Sequence, residues 1–364
     1  MTLLKLRADE ISSRKNGYFY IARGLGVLGF KYLTKPHVEI SEKIFQVKNE
    51  KTIYIHIPLH KSLWETTGIM VPLFNRGLRI PYAGMGDNLI RGDIFRKLAH
   101  NVGVFLVKRA VTRSQMLESA KMLKDYTISH IAYGCDILIF PEGTRKGIPN
   151  HGQYGKFFPT AFEAMLEYEK TKSEIVKHHP GLIEYDTYII PSNVDYSKVR
   201  EDREMIADYK GKPRTLRIWD SMKMLKNIGD TYITYGDPLK VADYVHMDRK
   251  ELANFIRQKC LNLVKILPIN VVAWGIVNSV SEDQIQISKI HDNIAQILSK
   301  LSHLEERFRG FNSGDHPAKI LASVAKNEPL FREKNITIKN LNFYRLYANY
   351  IRHYLEEPQS NVNE

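Results

Sequence analysis

Short apolar runs alternate with longer segments of helical spacing between residues 51 and 235. Strands are predicted over residues 51–58, 103–107, 136–140, 188–194 and 231–235, which are rich in β-branched and aromatic residues. Helices are predicted over residues 62–74 and 113–129, the second with Met116, Ala120 and Leu123 on one face. Because strands alternate with helices, the fold class that we expect is α/β, with a mixed sheet flanked by helices.

The last part of the chain has a different pattern. From Ile287 to Phe308, apolar residues recur at alternating spacings of three and four, over about three heptads. Packing of one long helix within the chain and a homodimer through Ile287 to Phe308 both explain this seam. Residues 310–317 (GFNSGDHP) predict a linker. The final helix is predicted from the spacing of Phe343, Leu346, Tyr347, Tyr350 and Tyr354.

The start of the chain contains its best candidate for membrane contact, residues 17–33 (GYFYIARGLGVLGFKYL). Arg23 and Lys31 interrupt this segment, and it is shorter than the roughly 20 apolar residues that a spanning helix needs. A helix lying in the membrane interface and a core-facing amphipathic helix both fit the pattern. The first residues lack the features of a signal peptide, so the expected location is the cytosolic side.

The net charge of the chain indicates which classes of binding partner to expect. The net charge of +13 favours anionic partners such as nucleic acid, phosphorylated substrates or an acidic membrane surface. No zinc spacing, recognition-helix pattern or aromatic RNA-binding signature accompanies the charge, so nucleic acid is not an expected partner. The two cysteines, Cys135 and Cys260, are far apart in sequence and predict neither a disulfide framework nor a metal site.

The first segment with candidate chemistry is Leu59-His60-Lys61-Ser62-Leu63-Trp64-Glu65, which follows the first predicted strand. A histidine can take a proton from a hydroxyl nucleophile, and a carboxylate can orient its ring. Five positions are not a same-face spacing on one helix, so the pair requires His60 in the turn and Glu65 in the helix beyond. The alternative is an exposed histidine with a solvated helix carboxylate.

Three further segments with candidate chemistry lie in predicted strands or directly after them. Gly103 to Arg109 (GVFLVKR) places two cations, Lys108 and Arg109, at a strand end, where they are well placed to hold phosphate. Residues 140–145 (FPEGTR) combine a turn glycine with Glu142 and with Arg145, which offers a bidentate phosphate contact. Residues 189–194 (IIPSNV) are an apolar strand with a proline break.

In this order, the four segments resemble the signatures of the glycerolipid acyltransferase family: His-x4-Asp, Gly-x-Phe-x-x-Arg, Phe-Pro-Glu-Gly-Thr-Arg and a Pro-containing apolar strand. His60-Lys61-Ser62, together with Ala83-Gly84 and 87–89 (DNL), looks most like the glycerol-3-phosphate acyltransferase branch. The resemblance runs from about residue 50 to about residue 278. It implies a fatty acyl donor that is acyl-CoA or acyl-carrier protein, a phosphorylated glycerol acceptor, no metal or other cofactor, and no covalent acyl-enzyme.

The resemblance also implies roles for individual residues. His60 would be the general base on the acceptor hydroxyl, with Glu65 as its carboxylate partner, and turn amides near His60 are candidates to stabilise the oxyanion. Arg109 and Arg145 would hold phosphate with help from Lys108, while Glu142 and Gly143 would shape the acceptor site. The full set of expected substrate-binding residues is Lys61, Ser62, Lys108, Arg109, Glu142, Gly143, Thr144 and Arg145.

This sequence departs from the family pattern at three positions. Glu65 replaces the aspartate, Lys61 replaces the arginine after the histidine, and Lys146 replaces a serine. Within the family, acylation of lysophosphatidate or dihydroxyacetone phosphate stands beside acylation of glycerol 3-phosphate, because residues 140–145 (FPEGTR) are equally typical of lysophosphatidate enzymes. A non-catalytic, basic membrane-surface protein is the further alternative.

The expected organisation has three parts. They are an N-terminal helical, membrane-proximal segment (1–49), an acyltransferase domain (50–278) and a C-terminal helical region (279–364). The expected location is the cytoplasmic face of a membrane, with peripheral attachment to anionic lipid.

Overall fold

The structure is a computed structural model of the chain. It describes residues 35–62, 65–87, 97, 100, 103–107, 112–143, 154–199, 202–209 and 229–356. The predicted membrane-proximal helix at 17–33 lies outside these residues. No helix among the described residues has both the length and the apolar character needed to cross a bilayer.

One mixed sheet organises the molecule. Its strands are β1 (Lys35–Ile40), β2 (Thr52–Pro58), β3 (Tyr82–Gly86), β4 (Val104–Val107), β5 (Ile137–Leu138), β6 (Asp186–Tyr196), β7 (Asp230–Tyr235) and β8 (Leu239–Lys240). The order across the sheet is β1-β7-β6-β2-β5-β3-β4, and β8 pairs with β6. A separate two-stranded ribbon contains β9 (Val280–Ser281) and β10 (Gln284–Ile285).

The part of the sheet that carries the site is parallel. Strand β2 pairs in parallel with both β6 and β5, while β3 pairs in parallel with β5 and β4. Every residue of β2 is buried, as expected for a central parallel strand covered on both faces. The carboxyl ends of β2, β3, β4, β5 and β6 therefore share one edge of the sheet, the usual location of ligand sites in open α/β sheets.

Ten α-helices are described. They are α1 (Lys43–Gln46), α2 (Glu65–Asn75), α3 (Arg113–Ala132), α4 (Thr160–His178), α5 (Asp202–Tyr209), α6 (Arg249–Leu261), α7 (Pro268–Val277), α8 (Ile290–Leu301), α9 (Pro317–Asn327) and α10 (Leu341–Asn349). Local sequence explains several starts: Thr112 caps α3 in a capping box with Gln115, and Asp248 caps α6 in one with Glu251.

The structure confirms the predicted α/β class, all five predicted strands and both predicted helices of the central region. Of the three residues predicted to share one face of α3, Met116 is 55% exposed. Buried residues of α3 begin only at Tyr126, and the contact of α3 with α4 includes Lys124 bound to Glu163. The first turns of α3 lack such burial.

Residues 1–49 were predicted to be helical, but the described part of this segment contains a strand. Residues 35–40 form strand β1, which pairs in parallel with β7 from Lys35↔Asp230 to Ile40↔Tyr235. The polar and apolar residues of KPHVEI alternate over only a few positions, so the strand has a weak sequence signal. Its partner lies far away in the sequence, and tertiary pairing decides its conformation.

The apolar seam of residues 287–308 does not form one long helix. Helix α8 ends at Leu301, and a 3₁₀ helix, Ser302–Arg307, follows with a kink at Leu304. Ile290, Ile294 and Ile297 are buried within the chain, where α8 packs against α7. The alternative explanation, a homodimer through Ile287 to Phe308, therefore lacks most of the exposed apolar surface that it would need.

Candidate active site

Two turns at the carboxyl edge of the sheet bring the predicted catalytic residues together. Strand β2 ends at Pro58, and His60 lies two residues beyond it. Strand β5 ends at Leu138, and Glu142 lies in the turn that follows. Because β2 and β5 are adjacent and parallel, the two turns meet. We call 59–65 the histidine turn and 139–143 the glutamate turn.

The histidine turn contains a hydrogen-bonded His60–Glu65 pair. His60 Nδ1 and Glu65 Oε2 are 2.8 Å apart, with Glu65 at the start of α2. The predicted geometry, with the histidine in the turn and the carboxylate in the helix, is present. Although the side chain of Glu65 is one methylene longer than the family aspartate, it reaches the ring at normal hydrogen-bonding distance.

Glu65 is buried, and three N–H groups converge on it. Its Oε1 accepts hydrogen bonds from the backbone N–H groups of Lys61 (2.5 Å) and Ser62 (3.0 Å), while its Oε2 faces His60. None of the residue is exposed, which rules out a solvated helix carboxylate. Hydrogen bonds from N–H groups favour the ionised carboxylate, so Glu65 can act as a charged acceptor towards the imidazole.

The carboxylate sets the orientation and tautomer of the imidazole. A carboxylate only accepts, so Nδ1 of His60 is the donor in this contact, and in the neutral ring Nε2 carries the lone pair. The ring also packs on Phe140 of the glutamate turn, with ring centroids 4.4 Å apart. The His60 side chain keeps 16% of its surface exposed, so a substrate can approach it.

Glu142 holds backbone rather than a side chain. Its Oε1 accepts the N–H of His60 at 2.8 Å, and its Oε2 accepts the N–H of Gly155 at 2.6 Å. Burial raises the pKa of Glu142 to about 7, against the opposing effect of these two backbone hydrogen bonds. Glu142 therefore shapes the site by tying the histidine turn to the segment before α4, and its oxygens are engaged away from a substrate hydroxyl.

Gly143 ends the glutamate turn in a conformation that favours glycine. Its φ is +68°, in the left-handed region, and an added Cβ would lie 3.0 Å from the ring of Phe158. The predicted tight turn at this position is present. A side chain here would be strained and would press on Phe158.

One expected substrate contact, Lys61, is directed elsewhere. The ammonium of Lys61 points inward and binds Asn193, Val194 and Asp195, so the prediction that Lys61 contacts substrate is not supported by its position. Ser62 is buried, and its backbone N–H is bound to Glu65. The backbone N–H groups of His60, Lys61 and Ser62 all donate to carboxylates, so these turn amides do not fit the predicted role of stabilising an oxyanion.

The expected phosphate ligands Lys108, Arg109, Thr144 and Arg145 lie outside the described residues. The described residues next to them in sequence are Val107, the last residue of β4, and Gly143, the last residue of the glutamate turn. The role of the expected ligands in phosphate binding stays a prediction. Within the described ranges, no group of three or more His, Cys, Asp or Glu side chains is arranged to hold a metal ion.

Sequence reasoning missed the residues that hold the two turns in place. Arg257 of α6 donates to the carbonyls of Tyr154 and Gly155, both at 2.9 Å, and Asp195 of β6 binds Lys61. Each lies far from its partner in the sequence. The only available signal was Asp195, a charged residue directly after the apolar run that predicted the strand at 188–194.

The chain is similar in sequence to known acyltransferases. Residues 35–195 match the family model described as Acyltransferase. The chain is 27% identical over 201 residues to glycerol-3-phosphate acyltransferase of Baumannia cicadellinicola, covering 53% of this chain and 22% of that protein. The enzyme of the same name from Aeromonas hydrophila is 21% identical over 294 residues, covering 75% of this chain and 34% of that protein.

These curated relatives are much longer than the region that they share with this chain, which spans about a quarter to a third of their length. Among solved structures, the 1-acyl-sn-glycerophosphate (LPA) acyltransferase from Thermotoga maritima is similar with a TM-score of 0.40 and 14% identity, covering 66% of this chain and 76% of that one. The family match covers both the histidine turn and the glutamate turn. Residues 35–195 therefore match an acyltransferase domain, over the part of the chain that contains both turns.

Proposed function

We propose that this protein transfers a fatty acyl group from a thioester to the hydroxyl of glycerol 3-phosphate, in phospholipid synthesis. The observation that carries the proposal is the buried Glu65 carboxylate bound to Nδ1 of His60, which leaves Nε2 as the basic nitrogen. Similarity to proteins named glycerol-3-phosphate acyltransferase supports the choice of acceptor.

The chemistry requires one proton to move twice. Nε2 of His60 takes the proton of the acceptor hydroxyl while the hydroxyl oxygen attacks the thioester carbonyl carbon. The imidazolium that forms is stabilised by the negative charge of Glu65 at Nδ1. When the tetrahedral intermediate collapses, the C–S bond breaks and the imidazolium returns the proton to the thiolate. An ester and a free thiol leave, and the enzyme is regenerated without a covalent acyl-enzyme.

The acceptor would be held by cations that follow β4 and the glutamate turn in the sequence. Arg109 and Arg145, assisted by Lys108, would bind its phosphate, since a guanidinium can make two parallel hydrogen bonds to phosphate oxygens. Thr144 and Gly143 would complete the turn beside the phosphate. Acyl-CoA and acyl-carrier protein are both suitable donors, because the chemistry needs only a thioester. Lysophosphatidate and dihydroxyacetone phosphate are the competing acceptors, since each presents a hydroxyl and a phosphate.

An acceptor screen tests the proposal. The purified protein is given one labelled acyl-CoA and, in separate reactions, glycerol 3-phosphate, dihydroxyacetone phosphate or lysophosphatidate. We expect the highest kcat/KM with glycerol 3-phosphate, and no product from the His60→Ala variant. A higher kcat/KM with either other acceptor would reassign the substrate. If no acceptor is acylated with acyl-CoA or with acyl-carrier protein, the chain is a non-catalytic member of the fold.

We further propose peripheral association with the anionic, cytoplasmic face of a membrane. Besides the net charge of +13, exposed apolar side chains near the catalytic edge support this. Met116 and Leu117, in the first turns of α3, are 55% and 68% exposed, and Phe158, which packs on Gly143, is 58% exposed. Arg113 is exposed in the same turns of α3. Apolar tips with flanking cations suit insertion into an anionic lipid surface.

Vesicle sedimentation tests this association. We expect the protein to pellet with vesicles that contain anionic lipid more than with neutral vesicles, and salt to release part of it. Leu117→Ser should weaken binding, while Ile287→Ser, at an exposed isoleucine outside the catalytic edge, should not. Equal binding to neutral and anionic vesicles at low salt would remove the electrostatic part of the proposal.

A further inference from the structure

The side chain that follows His60 is a buried cation with a complete set of acceptors. Lys61 is 2% exposed, and its ammonium donates to Asn193 Oδ1 at 2.9 Å, to the carbonyl of Val194 at 3.0 Å and to Asp195 Oδ1. An ammonium has three hydrogens, and each has an acceptor here. All three acceptors belong to β6, the strand adjacent to β2.

Asp195 is fixed as firmly as the lysine. Its Oδ2 accepts hydrogen bonds from Asn193 Nδ2 at 2.5 Å and from the backbone N–H of Lys265 at 2.8 Å. Residue 265 lies between α6 and α7. The ion pair between Lys61 and Asp195 therefore joins the histidine turn to β6 and to the connection between α6 and α7. Because the polar atoms of this buried pair have hydrogen-bond partners, its geometry is well defined.

Two tyrosine rings complete the surroundings of the ammonium. Nζ of Lys61 lies 5.3 Å from the ring centroid of Tyr154 and 5.5 Å from that of Tyr350, within the range of cation–π attraction. The two rings are 6.3 Å apart. Tyr154 precedes Gly155, the residue bound by Glu142. Tyr350 directly follows α10, outside residues 35–195 that match the acyltransferase family.

The main chain of Lys61 links this cluster to the catalytic pair. Its backbone N–H donates to Oε1 of Glu65 at 2.5 Å, and Oε2 of the same carboxylate orients His60. Lys61 is thus held at its side chain by β6 and the tyrosines, and at its backbone by Glu65. Displacement of the ammonium would move the carboxylate and the imidazole with it.

We propose that Lys61 is a positioning residue for His60, and that Tyr350 of the C-terminal region is part of the wall that holds Lys61 in place. The inference rests on the proposed acyl transfer and assigns the C-terminal region a part in it. Binding of substrates does not depend on Lys61, because its ammonium is engaged within the protein. A shift of His60 by about 1 Å can cost about 100-fold in rate, so the effect should appear in kcat and not in KM.

Two variants test the positioning role. Tyr350→Leu removes one aromatic face from the ammonium while keeping an apolar side chain. The double variant Lys61→Met with Asp195→Asn removes the ion pair without leaving a buried unpaired charge, which a single substitution would do. We expect kcat to fall about tenfold or more in each, with the KM of both substrates within about twofold of the wild-type values.

Two further variants separate positioning from loss of stability. Tyr350→Phe keeps the ring face and should retain kcat within about twofold. Tyr344→Leu removes an equally buried tyrosine of α10, which packs on Phe331 and donates to the carbonyl of Leu330. Tyr344→Leu should lower the melting temperature in the manner of Tyr350→Leu but leave kcat unchanged.

Imidazole ¹⁵N NMR gives a readout that does not require turnover. The His60 signals are identified by their loss in His60→Gln. The wild-type ring should be the neutral Nδ1–H tautomer, and both test variants should shift it towards a mixture of tautomers. Unchanged His60 signals or a wild-type kcat in both test variants would overturn the positioning role. If the wild-type protein acylates no acceptor, the proposed function fails, and the His60 signals alone decide whether Lys61 and Tyr350 position the ring.

Discussion

The histidine turn and the glutamate turn follow neighbouring parallel strands, and each contains a buried glutamate, yet the two carboxylates do different work. Glu65 binds one ionisable ring and two backbone amides. Glu142 binds two backbone amides, those of His60 and Gly155. Both glutamates hold His60, one by its ring and the other by its main chain.

The difference shows that the partner, and not burial, decides what a buried carboxylate contributes. A carboxylate on an imidazole fixes a tautomer and stabilises the charge that develops during proton transfer. A carboxylate on backbone amides fixes the path of the chain and undergoes no change during the reaction. Substitutions that remove charge should therefore affect the rate at Glu65 and affect mainly stability at Glu142.

The largest effect that we expect is at His60. His60→Ala removes the base and should lower kcat by about 10²–10⁴, with the melting temperature close to that of the wild-type protein. Steady-state acyl transfer at saturating substrates measures this. The control is His37→Ala, at an exposed histidine on β1, which should retain the wild-type rate. A folded His60→Ala variant with near-normal turnover would show that the histidine turn does not carry the chemistry.

A smaller loss is expected when Glu65 is shortened. In Glu65→Asp the carboxylate falls short by about one C–C bond, roughly 1.5 Å, whereas catalytic geometry tolerates only about 0.5 Å. We expect kcat to fall by about tenfold to 100-fold, because the site is built for a glutamate with its 2.8 Å contact to His60. An increase in kcat would mean instead that Glu65 is a poor substitute for the family aspartate.

The smallest effect that we expect concerns Glu142, and it appears in how the free energy of unfolding changes with pH. Burial raises its pKa from 4.5 to about 7, so the folded protein holds a proton that the unfolded chain has lost between these values. The contribution of Glu142 to stability is therefore fully present below about pH 4.5 and is lost as pH rises through about 7.

Glu142→Gln removes this titration, and the comparison with the wild-type protein isolates it from other groups. Asp202, whose pKa burial also raises to about 7, titrates in the same window and cancels in the difference. The stability advantage of the wild-type protein over Glu142→Gln should shrink between pH 5 and pH 8 in thermal unfolding, about in step with deprotonation of Glu142. Parallel pH profiles for the two proteins would contradict the raised pKa.

The strands that precede His60 and Glu142 could be predicted from the sequence, for a physical reason. His60 and Glu142 each follow a short apolar run, and a run of that length and composition forms a strand in many contexts. Once the strands are parallel, residues after their carboxyl ends must meet. The resemblance to the family implied Glu65 as the partner of His60, and the residues alone left a solvated carboxylate open as the alternative.

The direction of the Lys61 side chain could not be predicted. A lysine beside a catalytic histidine suggests phosphate binding, but the acceptors of its ammonium lie more than 130 residues further along the chain, on β6. The seam of residues 287–308 shows the same limit. Its spacing predicted one long helix, yet packing of α8 on α7 buries the first turns, and the chain then changes direction after Leu301. Contacts distant in sequence decided both outcomes.

The central claim, that the charge of Glu65 serves His60 while Glu142 serves the backbone, is tested most directly by comparing kcat of Glu65→Gln with that of Glu142→Gln in one assay. In Glu65→Gln, the amide oxygen of the new side chain would accept the backbone N–H groups. Its NH₂ group would then donate a hydrogen bond to Nδ1. That contact favours the tautomer with the proton on Nε2, in which Nε2 cannot act as a base. We predict a loss in kcat of about 100-fold or more for Glu65→Gln and of less than about tenfold for Glu142→Gln. A wild-type kcat for Glu65→Gln would contradict the claim.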